Sequence, residues 1–197
     1  MEEEKLSVRE YLYSIRFYVL LISVVFVGSI IIGYAGFLSE IFNVPLEWIQ
    51  QLSENLKDST ERYPSWIIFL VFFAVLFLNN SFTCFLDIVL GPLIGIFPLF
   101  SAFINGGLLG WFAKEQGLSI FLAIVPHGTF EIPAFLLSAA IGLRLGREVL
   151  KRKGDRDVKK ELRNGLRVFL AVVLPLLFIA ALIESALITA STYFRLT

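Results

Sequence analysis

The chain has 197 residues, of which 57% are hydrophobic and only 17% are charged. Soluble domains are usually about 45–50% apolar and about 25% charged, so this composition excludes an ordinary soluble domain. Lys and Arg balance Asp and Glu at 17 each, so the net charge points to no particular partner. The single cysteine, Cys84, excludes an internal disulfide and is interpreted as a small apolar packing residue.

The charged residues are distributed unevenly along the chain. From Trp66 to Phe112 the only charged residue is Asp87, although this stretch is long enough for two membrane crossings. About 20 apolar residues in a helix span a hydrocarbon core of about 30 Å. The sequence therefore predicts an all-α polytopic membrane protein. It forms a single membrane domain over residues 1–197, with about five transmembrane helices.

The first 65 residues are predicted to hold one span between two amphipathic segments. Residues 1–16 form a lead-in, in which Ser7 and Glu10 have the spacing of a capping box. The first span is expected at about 17–37. Because the chain starts without the basic region and cleavage site of a signal peptide, we expect this span to remain as an anchor. Residues 38–65 are net acidic and are predicted to lie along the outer membrane interface.

Residues 66–112 are expected to cross the membrane twice, and the position of the turn between the crossings is open. In the preferred interpretation, the second span ends near Leu86 and the chain turns through Asp87 to Pro92. In the alternative, the helix breaks at Asn79 and Asn80, which leaves only a short apolar run before the break. If the helix continues instead, both asparagines lie within the membrane and need hydrogen-bond partners there.

The third span contains two pairs of glycines with four-residue spacing. Gly91 and Gly95 form the first pair, and Gly106 and Gly110 form the second. Small residues at this spacing let two helices approach closely, so all four are predicted helix-packing positions. The same spacing suits the seam of a homodimer. Pro98 predicts a bend in this span.

The fourth apolar run, residues 119–143, contains the chain's single histidine, His127, together with Glu131. Their i, i+4 spacing places both side chains on one face of a helix. Pro126 and Pro133 flank the pair and predict a kinked or broken helix. An ionisable group at membrane depth costs about 2.5–3.5 kcal/mol on insertion scales and normally faces protein or water. This pair is therefore the predicted centre of a site.

Residues 144–167 hold ten of the 17 Lys and Arg residues and predict a basic helical hairpin at the inner face. A fifth span, at about 168–189, follows and carries Glu184. The positive-inside rule then places the N-terminus inside and the C-terminus outside. The basic hairpin is either a topology signal resting on anionic lipid or a docking surface for a cytoplasmic partner. No nucleic-acid-binding motif accompanies it, so nucleic acid is not an expected partner.

Four groups of residues, taken in this order, resemble the stage II sporulation protein M (SpoIIM) family of integral membrane proteins. They are Asn79-Asn80, Asn105-Gly106 with Gly110, Pro126-His127-Gly128 with Glu131, and Ala139-Ala140-Ile141-Gly142. The resemblance covers roughly residues 66–146, and the five-span plan extends it to most of the chain. It implies a multi-pass protein of the cell membrane. Family members in spore-forming bacteria are partners of a peptidoglycan-degrading engulfment complex, which implies membrane or envelope proteins as partners here.

The polar residues within the spans form a predicted cluster with a structural, transport or metal-binding role. Its members are His127, Glu131, Asn79, Asn80, Asn105 and Glu184. The expected function is a scaffold that recruits partners to a membrane complex. The first alternative is a proton- or ion-coupled small-solute transporter or channel that works as a homodimer, because five spans are few for a pathway.

The second alternative is a metal-dependent intramembrane hydrolase. A zinc enzyme normally supplies three protein ligands, and this chain has one histidine. We therefore assign no catalytic residue and do not expect an enzyme. No cofactor is expected apart from a metal held by His127 and Glu131. The expected partners are the lipid bilayer, a second copy of the chain and other membrane proteins.

Overall fold

The computed structural model describes residues 7–37, 39 and 63–196, and all the regular structure in these ranges is helical. The elements are α1 (Val8–Tyr34), α2 (Ser65–Val89), α3 (Ile96–Gln116), α4 (Ile120–Leu150), α5 (Val158–Val168), a π-helical segment (Phe169–Val173) and α6 (Leu174–Leu196). Five stretches are long and apolar enough to cross a membrane: Val8–Tyr34, Ser65–Val89, Ile96–Gln116, Ile124–Leu150 and Val158–Ser191. The prediction of an all-α protein with five membrane-spanning helices is confirmed. Most of the acidic segment predicted for residues 38–65 lies outside the described residues.

Helix α4 is the centre of the bundle, since it packs against every other helix. Its second half presents small and aliphatic side chains to the core, and Ala134, Ala139, Ala140, Ile141 and Leu145 are fully buried. Apolar side chains on the outer helices are exposed, as expected for surfaces that face lipid. The protein therefore surrounds one long central helix with four spans.

Helices α1 and α3 approach each other closely because glycines, which have no side chain, lie at their interface. A Cβ on Gly33 would overlap the carbonyl oxygen of Gly107, and one on Gly110 would overlap that of Ile30. A Cβ on Gly106 would likewise meet the α1 backbone. Both glycines of the second predicted pair therefore pack against another helix of the same chain.

The first predicted pair of glycines lies where the turn after α2 meets α4. A Cβ on Gly91 would overlap the carbonyl oxygen of Gly142, and one on Gly95 would press on the side chain of Leu143. Gly95 also adopts a φ of 70°, a left-handed conformation that favours glycine. These positions are buried within the chain and offer no surface to a second copy.

The described part of the N-terminal lead-in, residues 7–16, is continuous with α1, which Ser7 caps, and is not a separate surface helix. The first six residues lie outside the described ranges. Ser7 and Glu10 make the predicted capping box, with the Ser7 N–H donating to Glu10 Oε2 at 2.8 Å. Tyr11 and Ile15 are buried because α4 and α5 cover this end of α1. The apolar residues at helical spacing in this segment therefore pack against other helices of the protein, whereas the prediction placed them at the membrane surface.

The turn between the second and third spans lies close to the preferred position. α2 continues through Asn79 and Asn80 and ends at Val89, so the alternative break does not occur. Asp87 is not in the turn as predicted. It occupies the last turn of α2 and is fully buried, because this face of the helix packs on α4.

The prolines disturb the spans less than their positions suggested. Pro98 is the third residue of α3, where a missing N–H leaves no helical hydrogen bond unmade, so the proline fits the first turn of the helix. Pro126 and Pro133 lie inside α4, which continues through both without a break. Before Pro175, the chain forms the π-helical segment that joins α5 to α6.

The two ends of the bundle differ in charge. The start of α1, the end of α2, the end of α4 and all of α5 meet at one end, which we call the basic end because residues 144–167 lie there. There α4 ends at Leu150, and α5 begins at Val158 after a short loop. The other end, where α3 leads into α4, is called the opposite end.

Candidate functional site

Three ionisable side chains from two helices converge in the half of the bundle nearer the opposite end. His127 and Glu131 project from one face of α4, and Glu184 reaches them from α6. His127 Nε2 lies 4.0 Å from Glu184 Oε1, and the side chains are 14% and 23% exposed. One potential ligand atom from each of the three residues lies within 4.8 Å of the other two. We call this trio the His–Glu–Glu group.

A cavity of about 180 Å³ adjoins the His–Glu–Glu group and is shared through Glu131. All five spans contribute to its wall. The polar part of the lining comprises Asn79, Asn80, Thr83, Asn105 and Glu131, and the rest is largely apolar. A cavity of this size exceeds the space that one water molecule needs, so it has room for a hydrated ion or a small solute.

The structure brings together all six residues of the predicted polar cluster. The asparagines, however, do not tie the histidine and the glutamates to the neighbouring helices. Asn79 donates to the side chain of Asn80 at 3.3 Å, and Asn105 donates to the backbone carbonyl of Ser101 at 2.9 Å. In the described part of the chain, no hydrogen bond joins an asparagine to His127, whose Nδ1 is buried without a partner. The three asparagines and Glu131 line the cavity, and Glu131 connects it to His127 and Glu184.

Apart from His127, the glutamates of the His–Glu–Glu group have no ion pair with a Lys or Arg of the described ranges. The Lys and Arg ion pairs seen there, Arg144 with Glu161 and Lys151 with Glu148, lie at the basic end. Two carboxylates close together at membrane depth repel each other and are costly without compensation. A bound cation or protons would have to supply that compensation.

A second polar cluster, which was not predicted from the sequence, lies at the basic end. Tyr11 donates to Glu161 Oε1 at 2.5 Å, and Arg144 Nε lies 2.7 Å from the same oxygen. Arg144 also donates to Ser14 and lies with its guanidinium centre 4.9 Å from the Tyr11 ring centroid. These contacts fasten α5 to α1 and α4. The sequence did not single out Glu161, which is one of four acidic residues in the segment 144–167.

The sequence feature that could have predicted this second cluster is the spacing of three residues on α5. Glu161, Asn164 and Gly165 recur at i, i+3 and i+4, which places them on one face, and all three are buried. The cavity wall also contains Cys84, which sequence analysis interpreted as packing only.

A protein of Methanocaldococcus jannaschii, described as uncharacterized, is 26% identical to this chain over 181 residues. The alignment covers 86% of this chain and 80% of the relative. No solved structure matches the chain. The family model described as stage II sporulation protein M matches residues 16–189, a range that includes the whole His–Glu–Glu group and the cavity. The chain therefore belongs to the SpoIIM family, as its sequence predicted.

Proposed function

We propose that this SpoIIM-family protein is a multi-pass protein of the cell membrane that binds a divalent transition-metal cation and moves it across the membrane. The observation that carries the proposal is the convergence of His127, Glu131 and Glu184 beside a cavity formed by all five spans. The cation is the cargo, and the His–Glu–Glu group is its binding site within the bundle.

The donor set suits a cation such as Zn²⁺. Imidazole nitrogen and carboxylate oxygen both bind Zn²⁺ at about 2.0 Å, which implies about 3.3 Å between ligand atoms in a tetrahedral site. The three ligand atoms lie within 4.8 Å of one another, so rotation of the side chains is enough to close them around the ion. The cation would also neutralise the two glutamates, for which the described residues offer no Lys or Arg.

The proposed site is better suited to a cation that binds and leaves than to one that is held permanently. Three protein ligands leave a coordination position open, and the cavity next to Glu131 gives that position access to water or to a second ligand. Transport needs a site that binds strongly enough for entry but weakly enough for release. A structural zinc site, by contrast, normally has four protein ligands.

The direct test is metal binding by the purified protein, followed by flux into vesicles. Wild type, His127→Ala and Glu131→Gln are dialysed against Zn²⁺ and analysed for bound metal, and Co²⁺ serves as a coloured probe of coordination. We expect one cation per chain in wild type and at least about a tenfold loss of affinity in both variants. Glu115→Gln removes an exposed carboxylate at the end of α3 and is the matched control.

The same proteins are then reconstituted into vesicles that contain a fluorescent zinc indicator. We expect zinc entry with wild type and Glu115→Gln and none with the two site variants. Unchanged zinc binding in both variants contradicts the proposed site. Bound zinc without entry contradicts transport and makes a metal-dependent hydrolase the leading function.

A second function, partner recruitment as a scaffold, is favoured by the basic end. The contacts of Tyr11 and Arg144 with Glu161 hold α5 in place, so its basic residues form a fixed surface for an acidic partner or for anionic lipid. A scaffold needs no cation. If the His–Glu–Glu group only packs helices, wild type binds no zinc, and His127→Ala lowers the melting temperature and partner recovery together.

A further inference from the structure

Asp87 is a buried acid that the cation site does not use. It lies in the last turn of α2, near the basic end, and its relative exposure is 0%. Neither carboxylate oxygen has a hydrogen-bond partner in the described part of the chain. An ionised carboxylate without water, donor or cation is the least stable form of this group.

The polar groups that face Asp87 are the Ser101 hydroxyl and the Cys84 thiol, and neither carries a charge in its neutral form. Ser101 of α3 lies beside its carboxyl group, and no charged side chain among the described residues acts on it. On α4, Arg144 is engaged by Glu161 and Ser14, away from α2. The structure thus surrounds Asp87 with neighbours that are compatible with a neutral acid.

Two polar side chains, those of Cys84 and Ser138, lie in the region between Asp87 and the cavity. Cys84 lies one turn before Asp87 on the same face of α2 and forms part of the cavity wall with Glu131. The hydroxyl of Ser138, on α4, is a neighbour of the Cys84 thiol. Ser138 is fully buried, and its hydroxyl makes no hydrogen bond within the described residues. An unpaired buried hydroxyl lowers stability, so a second role for Ser138 would account for its presence.

We propose that Asp87 holds a proton and is the basic-end station of a proton path to the cavity, past Cys84 and Ser138. This inference rests on the proposed function, to which it adds exchange of the cation for protons. When the cation enters its site, the Asp87 carboxyl group passes its proton past Cys84 and Ser138 into the cavity, from which the proton leaves toward the opposite end, and Asp87 becomes a carboxylate. Reprotonation from the basic end restores the neutral acid and completes the exchange.

Infrared spectroscopy tests the protonation of Asp87 without depending on transport. The difference spectrum between wild type and Asp87→Asn at pH 7 should contain the carbonyl stretch of one protonated carboxyl group. Asp155→Asn, which changes an exposed aspartate in the loop before α5, should give no such band. A wild type without the band at pH 7 overturns the proposal.

Proton flux tests the path in vesicles that contain a pH-sensitive dye. With a zinc gradient, we expect Asp87→Asn to bind zinc as wild type does but to lower proton counter-flux at least tenfold. Undiminished counter-flux in Asp87→Asn overturns the path. If wild type binds no zinc, the proposed function fails, whereas the infrared band still decides whether Asp87 is protonated. If wild type moves zinc but no protons, the proton path is overturned and the proposed cation transport stands.

Ser138→Ala is a second variant that tests the proton path if Asp87→Asn does not fold. Because the Ser138 hydroxyl is buried without a hydrogen bond, removing it should leave the melting temperature equal or higher. A purely structural role for Ser138 then predicts unchanged proton flux. The path predicts slower proton flux in this variant although its stability is equal or higher. Flux equal to wild type in Ser138→Ala contradicts the path through this residue.

Discussion

At the scale of single residues, Glu161 holds the basic end together. Its Oε1 accepts from Tyr11 and pairs with Arg144 at 2.5 Å and 2.7 Å. Glu161→Gln keeps the shape but removes the charge that these donors face. We expect a loss of about 1.5–3 kcal/mol, the usual worth of hydrogen bonds to a charged group. A lower melting temperature in detergent is the measurement.

The control for this substitution is Asp155→Asn, which removes a carboxylate from the same charged segment where it is exposed. It should melt with wild type. Equal melting temperatures for Glu161→Gln and Asp155→Asn would mean that Glu161 does not fasten α5 to the bundle.

Residue type alone identified the centre of the site but not the buried acids near the basic end. Charges within spans are rare and costly, so His127, Glu131 and Glu184 stood out from the sequence. Asp87 and Glu161 did not, because aspartate suits a turn and glutamate suits a solvated helix. Only the packing of α4 against their helices makes these two residues buried.

At the scale of helices, two glycines of α1 make a matched pair of tests. A Cβ at Gly33 would overlap the Gly107 carbonyl oxygen of α3, whereas a Cβ at Gly28 would meet nothing within 4 Å. Gly33→Ala should separate the two helices and destabilise the protein by roughly 1–3 kcal/mol. Gly28→Ala should be neutral or stabilise by up to about 1 kcal/mol, because alanine favours the helix. Thermal unfolding of both variants measures the difference.

If both alanine variants melt at the same temperature, α1 and α3 are not in backbone contact. The sequence contained the spacing that predicts such contacts, but spacing carries no information about the partner helix. The effect of proline was likewise not predictable from the sequence alone. Pro126 predicts the loss of one helical hydrogen bond, yet the contacts of α4 with its neighbours keep the helix continuous.

At the scale of the whole molecule, orientation in the membrane is the property to measure. The basic end should face the cytoplasm because it carries most of the Lys and Arg residues. The one native cysteine, Cys84, is buried, so single cysteines can be introduced without removing it. In intact cells, an impermeant thiol reagent should label Leu118→Cys, at the opposite end, and spare Asp155→Cys until the membrane is opened.

The unsubstituted protein, labelled in parallel, controls for reaction at Cys84. Labelling of Asp155→Cys from outside would invert the orientation and with it the side of the membrane from which Asp87 is proposed to be reprotonated. The number of spans was predictable from sequence because length and polarity alone decide what crosses a bilayer. The central position of α4 was not, because it depends on contacts between residues far apart in the chain.

The π-helical segment at Phe169–Val173 has a geometric consequence for the residues that follow it. A π turn holds one residue more than an α turn, and each residue of an α-helix advances by about 100° around the axis. The extra residue therefore rotates the whole of α6 relative to a straight continuation of α5. If the same residues formed a regular α-helix, Glu184 would point about a quarter turn or more away from His127. The π-helical segment therefore determines which face of α6 carries Glu184, although it lies more than two helical turns before that residue.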